Sequence, residues 1–378
     1  MAPTSETDDE NDAASSDQLT EETTGDSLPT LPFEIVAEIL SRLPVKLLMQ
    51  LQSVCKSWNS LISDSKFAKN HLRVSTTRHR LVLTFINTSR KLSITDYPLS
   101  SVFTDVTATA TQLNYPLNDR NRFDVIVGSC HGILCFALDQ RFALLWNPSI
   151  RKFSKLPSLD IPKREGSYTI YGFGYDHFSD SYKVVAVNCF ESDSNGSKVY
   201  KTEVKVYTLG TDCWRRIQDF PSGVPFDGSG TFVSGTINWF AAKWIIVSFD
   251  LEKETYQELL QPDYGAVTVV SVTLGVLRDC LCILAHSDTF SDVWLMKEYG
   301  NKDSWVKLFR VPYIGEVGSC LYTKALYLTD DDQVLLKYQA ELVVYNSRDG
   351  TFKTPEIQNI NQWMVPEVYQ ESLISPCS

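Results

Sequence analysis

Gly128-Ser129-Cys130-His131-Gly132 holds the spacing G-x-C-x-G, which can present a nucleophile on a sharp turn with a base beside it. Such an elbow needs a helix after the turn, whereas Ile133 to Leu138 reads as a strand, so a tight interstrand turn is expected here. His71, His79, His131, His177 and His286 show no metal-ligand spacing. Cys280 and Cys282 would share one face of a strand, but no second ligand pair accompanies them, so core packing is expected. Gly172-Phe173-Gly174 is too short for a dinucleotide loop and lacks the helix that should follow it. Asp330-Asp331-Asp332 reads as a solvated turn. The expectation is therefore a chain with no catalytic residues, no metal and no cofactor.

The elements that position these residues divide the chain in two. From Leu31 to Asn70 the apolar residues recur at helical spacing. Ile35, Ile39 and Leu43 form one stripe with Val36 and Leu40 alongside, while Glu34, Glu38 and Arg42 stay off it. Pro32 suits a first turn, with Thr30 or Leu31 at the cap, and Leu43-Pro44 ends one helix and starts the next. From there Leu47, Leu48, Leu51, Val54, Cys55, Trp58, Leu61 and Ile62 predict a face buried continuously for over four turns. So short a segment cannot bury two such faces alone, so part of the surface belongs either to a partner or, as a helical cap, to the rest of the chain.

Leu31-Pro32, Glu34-Ile35, Ile39-Leu40, Leu43-Pro44-Val45-Lys46 and Val54-Cys55-Lys56-Ser57-Trp58-Asn59-Ser60-Leu61-Ile62 resemble the plant F-box. The resemblance implies binding to the Skp-type adaptor of an SCF ubiquitin ligase, and through it to a cullin scaffold. It implies that Leu31, Pro32, Ile35, Ile39, Leu43, Pro44, Leu47, Val54, Cys55, Trp58 and Leu61 supply adaptor contacts and the small core of the module.

From His79 onward, short runs of Val, Ile, Leu, Phe, Tyr and Trp alternate with Gly, Asp, Asn and Pro, an all-β pattern. Trp146/Phe153, Tyr207/Trp214, Phe249/Tyr256 and Tyr345/Phe352 each place two aromatics across a polar turn, and Trp294/Trp305 do so across a longer one. Pro157, Pro221, Pro262 and Pro312 close four of those arms. The second aromatics recur mostly every forty to fifty residues, the period of propeller blades. Five such units over about 123–357, plus a blade shared by the strands at 80–96 and 367–375, predict about six blades closed by pairing the two ends. Gly128-Ser129-Cys130-His131-Gly132-Ile133-Leu134-Cys135, Leu145-Trp146-Asn147-Pro148, Tyr171-Gly172-Phe173-Gly174-Tyr175-Asp176 with Tyr182-Lys183-Val184-Val185, and Gly235-Thr236-Ile237-Asn238-Trp239 resemble the plant F-box-associated domain related to kelch propellers. The paired glycines of ordinary kelch repeats are missing from the sequence.

The bulk composition narrows the function classes. The 378 residues are 43% hydrophobic and 21% charged, as in a globular chain. Nine cysteines without a C-x-x-C suit a reducing compartment, the cytoplasm or nucleus, where Asn87-Thr88-Ser89 and Asn195-Gly196-Ser197 would stay unmodified. The N-terminus carries acids instead of a basic region and apolar core, so no signal peptide is expected. The longest uncharged runs, Gly228 to Ala242 and Tyr264 to Leu277, reach 15 and 14 residues and are broken by Gly, Thr and Ser, too short to span a bilayer. Residues 1–28 hold nine acids and no base, an acidic leader expected to be disordered. Ten basic residues between Ile39 and Thr95 face Asp64 alone, yet they do not gather on one helix, and a pI near 5.0 argues against nucleic acid.

The organisation expected is a leader over 1–28, an all-α F-box over 29–75 and an all-β, kelch-like propeller over 79–376. The function expected is a non-catalytic substrate receptor of an SCF-type ubiquitin ligase whose protein target is unidentified. The rivals are a propeller hydrolase or oxidase with a helical cap, and an F-box protein acting outside the ligase.

Overall fold

The computed structural model describes residues 31–74, 78–87, 91–104, 108–117, 124–162, 164–194, 197–314, 322–339, 341–357 and 364–377. The acidic leader, Cys320 and parts of both Asn-x-Ser patterns lie outside the described residues.

Four short helices come first: α1 (Phe33–Ser41), α2 (Val45–Leu51), α3 (Lys56–Ser63) and α4 (Ser65–Val74). Pro32 and Pro44 are themselves the N-caps of α1 and α2, so the first cap is neither Thr30 nor Leu31. Each proline carbonyl accepts the first helical bonds, from Ile35 and Val36 and from Leu47 and Leu48. The continuous helix expected after Pro44 is broken at Gln52–Cys55. Ser53 N–H turns back to Gln50 O, the Ser53 hydroxyl donates to the same carbonyl at 2.7 Å, and Cys55 is extended. The break brings Leu48 and Ile62 into one core, which a straight helix would have held apart. Asp64 caps α4 by accepting from Lys66 N at 2.8 Å and Phe67 N at 3.0 Å.

The β region starts with β1 (His79–Ile86), β2 (Leu92–Pro98), α5 (Leu99–Thr104) and β3 (Thr111–Gln112). Next come β4 (Val125–Cys130), β5 (Ile133–Ala137), β6 (Ala143–Asn147) and β7 (Lys152–Lys155), then β8 (Tyr168–Asp176), β9 (Ser181–Ser194), β10 (Ser197–Thr208) and β11 (Arg215–Arg216). These are followed by β12 (Phe226–Val233), β13 (Thr236–Ala241), β14 (Ile245–Asp250) and β15 (Thr255–Leu259), and by β16 (Ser271–Leu277), β17 (Cys280–His286), β18 (Phe290–Met296) and β19 (Trp305–Pro312). The chain ends with β20 (Tyr322–Leu328), β21 (Gln333–Tyr338), β22 (Glu341–Asn346), β23 (Phe352–Lys353) and β24 (Met364–Gln370).

Among the described residues these strands form four four-stranded sheets and one eight-stranded sheet, not six separate blades. The larger sheet arises because β8 and β12 are bridged in parallel at Gly172 and Gly230. Only glycine permits that approach. A Cβ on Gly172 would stand 2.6 Å from Ile237 Cγ2 and 2.7 Å from Trp239 Cζ2, and one on Gly230 would collide with the same two side chains. This close packing accounts for Gly172, and close approach of the Phe232 ring accounts for Gly174.

The aromatic pairs mark the outer hairpins. Trp146 lies opposite Phe153, Phe249 opposite Tyr256 and Tyr345 opposite Phe352. Trp294 and Trp305 do not face each other: an irregularity at Val293/Trp294 sets Trp294 against Lys307 and Trp305 against Met296. Trp214 and Trp305 instead reach the preceding blade, donating from Nε1 to Pro157 O and Leu260 O, each at 2.9 Å.

The ring closes as the sequence predicts, by pairing its ends. β1 lies between β2 and β24, antiparallel to both. Arg80 of β1 donates to Asp96 of β2 at 2.6 Å and to Glu371 after β24 at 3.2 Å, and Tyr369 of β24 also donates to Asp96, at 3.2 Å. Beyond β24, buried Asn147 donates to Ser372 O and Ile374 O and so holds the C-terminal segment on the β4–β7 blade.

Candidate functional site

The helical module has two apolar faces with different fates. Leu40, Val45, Leu48, Ile62 and Phe67 are buried, in one continuous cluster with Cys130, Ile133, Tyr175, Tyr182, Leu373 and Ile374 of the β region. Leu43, Trp58 and Leu61, half-buried, pack against that cluster, so their weight falls on the core of the module. Leu31, Pro32, Ile35, Ile39, Pro44, Leu47, Val54 and Cys55 are exposed, Ile35 by 48%, Ile39 by 47% and Val54 by 60%. The module thus caps its own domain with one face and leaves the other uncovered. Phe33 is also exposed, and the sequence reading missed it because it lies off the Ile35–Ile39–Leu43 stripe. These isoleucine, leucine, valine and phenylalanine side chains, interspersed with exposed Glu34, Glu38, Arg42 and Lys46, offer apolar contact area to a partner.

The module sits at one end of the ring. Lys69 of α4 pairs with Asp180 in the β8–β9 turn, and Gln370 at the end of β24 donates to Leu72 O at 3.2 Å. Both contacts lie at or just beyond the C-terminal ends of inner strands. Those strands, β4, β8, β12, β16, β20 and β24, surround a central cavity of about 670 Å³, where Lys324 pairs with Glu367 at 2.6 Å.

Residues 76–376 match the F-box associated beta propeller domain, and residues 28–70 match the F-box domain. The chain belongs to the F-box-associated β-propeller family. It is 34% identical to an F-box/kelch-repeat protein of Arabidopsis thaliana over 92% of this chain and 96% of that one. It is also 30% identical to the F-box protein CPR1 of Arabidopsis thaliana, over 93% of this chain and 90% of that protein.

Within this F-box-associated propeller the residues with chemical promise occupy packed or cross-braced positions. Cys130 ends β4 and Ile133 opens β5, so a strand follows the turn, and burial pushes the Cys130 thiol far above its usual range. His131 and Gly132 carry the turn with φ of 51° and 81°; a Cβ on Gly132 would clash with Gln370 O and the Ser372 side chain. Cys282 is buried and Cys280 packs against the same cluster. Asp332 binds Arg278 at 3.1 Å and Arg348 at 3.3 Å, while Asp331 accepts from Gln333 at 2.7 Å, which makes the acidic run a cross-braced turn. No helix among the described residues is long and apolar enough to cross a membrane.

Exposed apolar residues also gather at the opposite end of the ring. Val125, Tyr168 and Phe226 open β4, β8 and β12, and Val270 immediately precedes β16; all four are exposed. The face that carries them is the one turned away from the F-box.

Two buried histidines predict the acid response of the propeller. Burial lowers His131 and His286 to about 4, the former helped by His177 and Lys69, so both are neutral in the fold at neutral pH. In the unfolded chain they take up protons near pH 6.5. The unfolded state then binds more protons between about pH 6.5 and pH 4, and stability falls as pH falls through that window, by about 1.4 kcal/mol per pH unit for each such histidine. Urea unfolding from pH 7.5 to 4.5 should show this slope, and His286→Gln should reduce it; a slope unchanged by His286→Gln would refute the assignment.

Proposed function

We propose that the chain is the substrate-recognition subunit of an SCF-type ubiquitin ligase. The observation that carries this reading is the set of apolar side chains Leu31, Phe33, Ile35, Ile39, Leu47 and Val54, left uncovered while Leu40, Val45, Leu48 and Ile62 of the same helices are buried in a cluster shared with the propeller. That set binds the Skp-type adaptor, and the adaptor joins the chain to a cullin scaffold. Leu31, Pro32, Ile35, Ile39, Pro44, Leu47, Val54 and Cys55 supply the contacts, and Leu43, Trp58 and Leu61 hold the shape behind them. F-box and propeller form the two working units, over 29–75 and 79–376, in the cytoplasm or nucleus.

The β domain is a closed β-propeller in this reading. Each half of the eight-stranded sheet is a four-stranded antiparallel unit, and a single bridge joins the halves. The protein target docks on the face turned away from the F-box, where Val125, Tyr168, Phe226 and Val270 offer contact area to a partner held clear of the adaptor. The chain performs no bond chemistry; it raises the local concentration of target near the charged enzyme.

The test is size-exclusion chromatography of the purified chain with a Skp-type adaptor, followed by addition of the cullin. Co-elution in a single stoichiometric complex supports the reading. A chain that elutes apart from the adaptor at micromolar concentration overturns it, and one that takes the adaptor without the cullin acts outside the ligase.

A further inference from the structure

We propose that Arg78 is a positioning residue that fixes the direction in which the F-box presents the propeller. Its backbone belongs to the propeller, because its carbonyl accepts from Glu371 N at 3.0 Å, just outside the β1–β24 pair that closes the ring. Its guanidinium belongs to the F-box: Nη1 donates to Leu43 O at 2.5 Å and Nη2 donates to Arg42 O. Those carbonyls lie just past the end of α1, where backbone acceptors lack partners within the helix and the helix dipole favours a cation. A planar guanidinium can bind two successive carbonyls at once, whereas an ammonium acts as a point charge. His71 Nε2 of α4 lies 2.8 Å from the same Leu43 carbonyl, so α1, α4 and the closing blade meet there.

Two further polar ties across this joint, Lys69 with Asp180 and Gln370 with Leu72, hold α4. Arg78 reaches α1, which carries Ile35 and Ile39. The arginine therefore adds a directional polar tie to the apolar packing of Leu40, and narrows the tilt of the helix that faces the adaptor relative to the propeller that faces the target. The inference rests on the receptor reading for its consequence, since a tilted joint redistributes the target lysines within reach of the charged enzyme. The joint itself can be measured without the ligase.

The experiment places fluorophores by click chemistry at Asn59 on α3 and Glu252 after β14, both exposed, and records distance distributions by time-resolved energy transfer in the full chain. Wild type should give one narrow distribution. Arg78→Gln should broaden it at least twofold, with Arg78→Lys in between, while unfolding stays cooperative and adaptor affinity stays within threefold. In a reconstituted ligase, ubiquitin on the chain's own lysines should spread to more sites in Arg78→Gln than in wild type. A distribution in Arg78→Gln as narrow as wild type, or broadened equally by Arg78→Lys and Arg78→Gln, overturns the proposal. Loss of adaptor binding by wild type would remove the receptor reading and leave the distance widths to decide Arg78.

Discussion

Replacing Ile35 and Ile39 with aspartate is expected to abolish capture of a Skp-type adaptor while the protein stays folded. Both side chains are about half exposed in the free chain, so the substitutions remove little native packing, and surface changes of this kind shift stability only slightly. Burying one such side chain at an interface is worth roughly 1.5–3 kcal/mol, and every 1.4 kcal/mol is tenfold in affinity. The two losses together weaken binding about a hundredfold or more, and two desolvated carboxylates weaken it further. Titration calorimetry with purified adaptor checks the affinity, and a thermal melt checks the fold. The contrasting variant is Leu48→Ala, fully buried, which should cost roughly 2–5 kcal/mol of stability by leaving a cavity. Undiminished affinity in the double aspartate variant would place the adaptor elsewhere.

Arg80→Leu is expected to destabilise the propeller by about 3–5 kcal/mol at neutral pH, the cost of breaking a buried ion pair from one side. Arg80 stands between Asp96 and Glu371, whose side chains are 6% and 19% exposed, and the network spans β1, β2 and the end of β24. Without the guanidinium, two carboxylates are left together with Tyr369 in a poorly solvated site. Burial already holds Asp96 and Glu371 above the usual carboxylate range, with Arg80 as the main opposing influence. In the variant their folded pKa values rise further above the unfolded values near 4, so the folded state binds the extra protons. The stability deficit against wild type is then largest at neutral pH and shrinks as pH falls toward 4. Urea unfolding of both proteins at pH 7.5 and 5 checks it; an equal deficit at the two pH values would show that lost packing, not charge, is the cause. Arg80→Leu combined with Asp96→Leu should recover part of the loss.

Much of this architecture was legible in the chain because it depends on period and on local chemistry. The two Leu-Pro boundaries located α1 and α2, since proline fixes φ and cannot continue a helix. Paired aromatics across polar turns located the outer hairpins, with Trp146/Phe153, Phe249/Tyr256 and Tyr345/Phe352 in direct opposition. The turn at Gln52–Cys55 was hidden because apolar spacing of one, three or four residues is the same for one long helix and for two helices folded on each other. The merged sheet was hidden for a related reason: Gly172 and Gly230 are far apart in sequence, and only in the fold do they let two inner strands touch.

The candidate site was legible as a set of residues but not as a surface. Periodicity placed Leu43, Trp58 and Leu61 beside Ile35, Ile39 and Val54, and packing against the propeller separates them into a supporting group and an exposed one. Arg78 gave no signal in the sequence, because its role depends on the closing of the ring bringing Glu371 and the end of α1 to the same place.

The most direct measurement is amide hydrogen exchange of the full chain with and without a purified Skp-type adaptor. Receptor function through the exposed F-box residues predicts added protection over α1 to α3, residues 33–63, and none in the strand starts at Val125, Tyr168 and Phe226 on the far face. Protection confined to the propeller, or none anywhere at saturating adaptor, would contradict it.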